Sequence, residues 1–177
     1  VEIWKELENA KFPSEIQAEF ARTSERPEEL HSNWRELLYV LVRLCEPALV
    51  VETGVYDGLS SAYILGALAT NGRGRLLSVD INDGTNVPAD ISDENVGWVV
   101  PQSLRERWLL KFGDSRDILP GLLEDASVDM FLHDSLHTAD HMRYEFETVL
   151  KSMTDGGYML TDNCRFNEVY REIISEY

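Results

Sequence analysis

The stretch Val51-Glu52-Thr53-Gly54-Val55-Tyr56-Asp57-Gly58-Leu59-Ser60-Ser61 decides how the rest of the chain reads. An apolar run from Leu49 to Glu52 breaks into a turn between Thr53 and Gly58, and a helical pattern with Ile64, Leu65 and Leu68 inward begins at Ser60. Strand, glycine turn and helix in that order open a parallel α/β unit. A dinucleotide fingerprint would read G-x-G-x-x-G and would hold a pyrophosphate at the helix N-terminus. Here the glycines stand four apart, and Glu52 places a carboxylate at the turn. A negative charge there repels phosphate and favours a ligand carrying an ammonium or sulfonium cation.

Outward from this stretch the same punctuation repeats. Gly72 and Gly74 end the helix, a second strand from Arg75 to Val79 stops at Asp80, and a third from Trp108 to Phe112 stops at Gly113 and Asp114. A fourth, Val128 to Leu132, stops at His133 and Asp134. The helix after it carries Met142, Phe146, Val149, Leu150 and Met153 on one side, and Gly156-Gly157 then turns the chain into a fifth strand, Tyr158 to Thr161, ahead of Asp162. The predicted fold is α/β: a mainly parallel twisted sheet with helices on both faces. In open sheets of this kind ligands sit outside the carboxyl ends of the strands, so Glu52, Asp80, Asp114, Asp134 and Asp162 mark one rim. S-adenosylmethionine carries both an ammonium and a sulfonium and suits Glu52. Asp80 offers acceptors for a ribose diol, and Asp114-Ser115 can meet an exocyclic adenine amine. The plainer alternative is a tight turn at Gly54 and Gly58, with Asp80 and Asp114 as caps. An NAD-dependent dehydrogenase is disfavoured by Glu52.

Residues 1–47 read as an N-terminal helical cap on a core spanning 48–177, a single domain overall. Ser14 is expected to cap a helix carrying Ile16 and Phe20, and Trp34, Leu37, Leu38, Leu41 and Leu44 form an apolar stripe that Pro47 ends. The segment from Asn82 to Leu104 is long and polar, and reads as an irregular insertion placed to act as a lid. The chain has 177 residues, 44% hydrophobic, enough to bury one core. Its 16 basic residues against 32 acidic ones leave a net charge of -16, which disfavours nucleic acid and anionic membrane surfaces as partners. With no run long enough to span a bilayer and no signal pattern at the start, the reading is a soluble, cytoplasmic protein; a homo-oligomer is left open. Cys45 and Cys164, far apart, read as two buried thiols. A chain that opens on Val1 reads as a processed or partial form of a longer product.

These motifs resemble those of class I S-adenosylmethionine-dependent methyltransferases, whose fold is Rossmann-like. The opening stretch is similar to the superfamily's first motif and Leu76-Leu77-Ser78-Val79-Asp80 to its second. Phe112-Gly113-Asp114-Ser115-Arg116-Asp117-Ile118-Leu119-Pro120 resembles the matching stretch of catechol-type, metal-dependent O-methyltransferases. Phe131-Leu132-His133-Asp134-Ser135-Leu136-His137, continuing to Asp162-Asn163, looks like a bacterial small-molecule subfamily. The resemblance spans about Ala48 to Asn163 and implies cofactor contacts from Glu52, Gly54, Tyr56, Gly58, Ser60, Asp80, Ser115 and Arg116, with Asp114 and Asp134 in the same site. It departs in two places. The family's fold has two further strands after the fifth, yet only 14 residues follow Asn163, so the last two strands are expected to be absent from this chain. Catechol-type enzymes also have a lysine where His137 stands.

Asp134 and the Asp162-Asn163 pair end successive strands, and adjacent parallel strands would gather three oxygen donors suited to Mg²⁺. Such an ion would bind an acceptor hydroxyl and lower its pKa. His133, His137 and His141 lie close in sequence, and His137 is the expected base. Asp162-Asn163 could equally shape a turn, and His137 could cap a helix or serve as a metal ligand. The expected activity is transfer of a methyl group to a hydroxyl of a small polar molecule, Mg²⁺-assisted. The alternatives are a metal-independent O- or N-methyltransferase using a His base, and a non-catalytic nucleoside-binding module.

Overall fold

The computed structural model describes residues 2–23, 33–81 and 96–176. The apolar runs become β1 (Leu49–Thr53), β2 (Arg75–Asp80), β3 (Trp108–Phe112), β4 (Val128–His133) and β5 (Met153–Thr161). They pair in parallel in the order β3-β2-β1-β4-β5. β1, β2 and β4 are covered on both faces, which is why they read as near-continuous hydrophobic runs. Alternate residues divide between two cores. Val50, Leu76, Met130 and Leu132 face one layer of helices, including α4 (Leu59–Asn71). Leu49, Val51, Leu77, Val79 and Phe131 face the other, built from α5 (Ser115–Leu122), α6 (Ala139–Leu150) and α7 (Val169–Glu176).

The cap consists of α1 (Glu2–Asn9), α2 (Phe12–Thr23) and α3 (Asn33–Cys45), and its Phe12, Ile16, Phe20, Tyr39 and Val42 share one apolar cluster with α4 and the sheet. Arg43 joins α3 to α1 by donating to both oxygens of Glu6, and it also bonds Asn71 of α4. That guanidinium holds the Glu6 carboxyl down at about 2.

Several sequence expectations are corrected here. The buried arc of α3 runs through Leu38, Tyr39 and Val42, whereas Leu37 and Leu44 are 49% and 66% exposed. The helix is rotated relative to the expected stripe because α1 and α4 pack against its Leu38–Val42 side. Ser14 lies inside α2, where its hydroxyl donates back to the Lys11 carbonyl, so it is not the cap. β5 starts at Met153, five residues before the expected Tyr158: residues 154–157 bulge opposite Asp129, and Gly156-Gly157 belongs to that irregularity, not to a helix end. Cys45 is half-buried and Cys164 exposed.

Of the expected lid, residues 82–95 lie outside the described residues. Residues 96–100 are a turn in which Val96, Val99 and Val100 are buried, the last two in the cluster shared with α4, and a 3-10 helix follows at Gln102–Arg107. Among the described residues no strand follows β5; α7 packs back on α6. None of the described helices is long and apolar enough to cross a membrane.

Candidate active site

The strand order reverses between β1 and β4, the place where an open parallel sheet leaves a crevice above its carboxyl ends. A cavity of about 490 Å³ occupies it. Of the residues singled out from sequence, Gly54, Tyr56, Ser60, Asp80, Asp114, Ser115, Asp134 and Asp162 line this cavity. Glu52, Gly58, Arg116, His137 and Asn163 do not.

The glycine turn is fixed from both sides. Gly54 has φ 81°, and a Cβ on it would stand 2.1 Å from the carbonyl oxygen of Asp134. Its amide donates to Val79, and the Asp134 amide donates to Thr53, so the turn is seated between β2 and β4. Gly58, at φ 90°, meets the Cα of Gly97 at 2.7 Å from where a Cβ would lie. Asp80 Oδ2 accepts the amides of Val55 (2.7 Å) and Tyr56 (3.0 Å), closing the turn over the end of β2.

Glu52 lies behind the cavity wall, not on it. It shares a face of β1 with Val50, toward α4, so its carboxylate is fully enclosed and accepts the hydroxyls of Ser60, Ser61 and Ser78 at 2.6, 2.6 and 2.7 Å. Burial pushes its pKa up, against those three hydrogen bonds. Ser60 lines the cavity, so the acid reaches the cavity only through a hydroxyl. Asp114 caps α5 by accepting the Arg116 amide at 2.9 Å while still facing the cavity. The Arg116 guanidinium turns outward to Asp140 and stacks over Tyr144.

At the tips of β4 and β5, Asp134, His137 and Asp162 each bring one ligand atom to within 4.8 Å of the others. Burial, and then the neighbouring Asp162 charge, pushes the Asp134 carboxyl up to about 8. His137 Nε2 is 3.8 Å from Asp134 Oδ1 and is enclosed with no hydrogen-bond partner; burial lowers its pKa. Asn163, exposed and at φ 51°, donates its amide to Asp162 Oδ2 at 3.2 Å. The two converging carboxylates are hard oxygen donors that fit a divalent cation, and the unpartnered His137 nitrogen stands beside them.

A family model described as a methyltransferase domain matches residues 51–164. The chain belongs to this family. It is a class I S-adenosylmethionine-dependent methyltransferase. Solved structures share the fold. The O-methyltransferase TomG from Streptomyces achromogenes, in complex with S-adenosylmethionine, is 20% identical with a TM-score of 0.63, over 95% of this chain and 70% of that one. An O-methyltransferase from Bacillus cereus in complex with S-adenosylhomocysteine is 18% identical with a TM-score of 0.67, over 96% and 80%. A search of curated proteins gives no significant match.

The methyltransferase also holds a polar centre that the sequence reading did not single out. Thr53 and His133 are register partners on β1 and β4, and both point to α6, where Glu145 is completely buried. Glu145 Oε2 accepts Thr53 Oγ1 (2.7 Å) and His133 Nδ1 (2.6 Å), while Oε1 accepts His141 Nε2 (2.8 Å), Ser135 (2.9 Å) and the Ser115 hydroxyl. Burial alone would raise this carboxyl, but the two imidazoles outweigh it and hold the group well below the usual range. The available signal was an acid in the apolar stripe of α6, three residues after Met142 and four after His141. His133 Nε2, on the far side of its ring from Glu145, is enclosed and unpartnered.

Proposed function

We propose that the enzyme transfers the methyl group of S-adenosylmethionine, seated in the strand-tip cavity, to a hydroxyl oxygen of a small polar acceptor, with a divalent cation held by Asp134, Asp162 and Asn163. The convergence of the Asp134 and Asp162 carboxylates on the cavity wall, with His137 beside them, carries the reading. S-adenosylmethionine supplies an electrophilic methyl on its sulfonium, and a bound Mg²⁺ would supply Lewis acidity toward the acceptor hydroxyl. The protein's own contribution is mainly placement: orienting two reactants is worth about 7–11 kcal/mol where the attacking oxygen is held at near-attack distance. In this reading Asp80 serves the ribose, Asp114 and Ser115 the base, and Ser60 the amino-acid end.

His137 is the proton acceptor in this scheme. Burial lowers its pKa, which favours the neutral imidazole, and a neutral ring has one nitrogen free to take the hydroxyl proton as the oxygen–methyl bond forms. That proton-accepting nitrogen supports a second reading, a metal-independent O- or N-methyltransferase with His137 as sole base. The fold and charge fit a cytoplasmic enzyme acting on metabolites.

The test is transfer of labelled methyl to a panel of hydroxylated small molecules, before and after chelation. Loss of transfer on chelation with recovery on adding Mg²⁺ supports the first reading, and transfer that survives chelation supports the second. Cofactor binding without transfer to any acceptor, with Mg²⁺ present, would leave only a nucleoside-binding module.

A further inference from the structure

We infer that His141 is a specificity-determining residue of the cofactor site: its Nδ1, the unpartnered ring nitrogen of a side chain that lines the cavity with Ser115, accepts a hydrogen from the exocyclic amine of the adenine base, and Glu145 is the positioning residue that makes it an acceptor. The inference rests on the adenosyl cofactor occupying this cavity.

The tautomer follows from the network. His141 Nε2 lies 2.8 Å from Glu145 Oε1 and 3.1 Å from Ser115 Oγ. The Ser115 hydroxyl also points at Oε1 and donates to it. A carboxylate only accepts, so the proton of the Nε2–Glu145 contact sits on the imidazole. In the neutral ring the other nitrogen then carries a lone pair. Nδ1 makes no hydrogen bond among the described residues, and it is not one of the enclosed unpartnered atoms, whereas the ring itself lines the cavity. The rest of the side chain is fixed by packing: His141 is 8% exposed and sits in the first turn of α6 beside buried Met142. A side chain of the cavity wall thus carries one acceptor with no donor among the described residues.

The location gives that donor its identity. Ser115 follows Asp114 at the start of α5, so His141 stands at the part of the cavity assigned to the base. Among the base's hydrogen-bonding groups only the exocyclic amine donates, and it has two hydrogens, enough for Asp114 and His141 together. A base with an oxygen at that position would set an acceptor against Nδ1 and leave both unpaired, which is how a buried polar group rejects a near-isostere.

The test compares S-adenosylhomocysteine with its inosine counterpart, by calorimetry on the full chain. The wild type is expected to prefer the adenosyl form. His141→Ala should reduce that preference about three- to tenfold, through weaker adenosyl binding with inosyl binding unchanged. Glu145→Gln, which frees the ring to place its proton on Nδ1, should reduce it in the same direction. An unchanged preference in His141→Ala, or equal loss of both nucleosides, overturns the inference. So does failure of the wild type to bind either nucleoside, which would also remove the cofactor from this cavity, whereas tight binding with an unchanged preference removes His141 alone. Nitrogen-15 spectra of the wild-type imidazole give a readout that needs no variant. They should show the Nε2–H tautomer, with an Nδ1 resonance that moves on adding S-adenosylhomocysteine and stays put with the inosine form. An Nδ1–H tautomer overturns the inference.

Discussion

Glu52 and Glu145 are both fully buried, on opposite faces of the central strands, and their surroundings drive them apart. Glu52 meets three serine hydroxyls and, among the described residues, no cation, and burial raises its pKa. Glu145 meets three hydroxyls and two imidazoles, and its pKa falls. Equal numbers of hydroxyls thus leave the outcome to the imidazoles. Hydroxyls lessen the cost of a buried charge, while a nearby titratable base reverses it. The α6 side of the sheet is held by an ionic centre and the α4 side by one that tends toward a neutral carboxyl.

The largest expected break in this contrast is in stability. Glu145→Leu leaves two imidazoles and three hydroxyls without their acceptor and should cost about 3–5 kcal/mol in denaturant unfolding. Glu52→Gln keeps most of its hydrogen bonds without a charge and should stay within about 1 kcal/mol of wild type. Equal losses would dissolve the distinction.

A smaller effect lies in the pH profile. Glu145, lowered in the fold, contributes stability that is present above the ordinary carboxylate pKa of 4.5 and lost as pH falls below it, so Glu145→Gln should flatten the acid limb of melting temperature against pH. Glu52 and Asp134 are raised, so the stability they contribute is present below their unfolded values and lost as pH rises. For Asp134 that loss runs from its ordinary value of 3.8 up to about 8 in chelated protein. Added Mg²⁺ should therefore raise the melting temperature more on the alkaline side of about 8 than near pH 5, and Asp134→Asn should abolish the difference. Melts across that range, with and without the ion, decide it.

The smallest concerns the cofactor. With Ser60 between it and the cavity, Glu52→Gln should weaken S-adenosylhomocysteine binding by less than about threefold. A loss of tenfold or more would show that the carboxylate acts as a full charge at the cavity.

The strand tips were legible because the apolar run of each strand ends on or close to an acid, and parallel pairing aligns such ends on one edge. The beginning of β5 was not, because Thr154-Asp155-Gly156-Gly157 has the composition of a turn and only pairing with β4 makes it strand. The depth of Glu52 follows from alternation with Val50, but its partners Ser60, Ser61 and Ser78 come from a helix and another strand, which period alone does not join. Glu145 was missed for a related reason: an acid inside an apolar stripe looks like a gap until His133 and Thr53 are seen across from it. In α3 the apolar residues cover more than one face, and only contact with α1 and α4 picks out Leu38 and Val42.

Gly54 has no room between its α-carbon and the backbone of Asp134. The loop that would cradle the methyl donor and the strand tip that would anchor the acceptor therefore meet at a single joint, so neither can be reshaped alone. Transplanting the glycine turn from a relative would have to bring the end of β4 with it, and drift at one of these two segments in evolution would be matched by drift at the other.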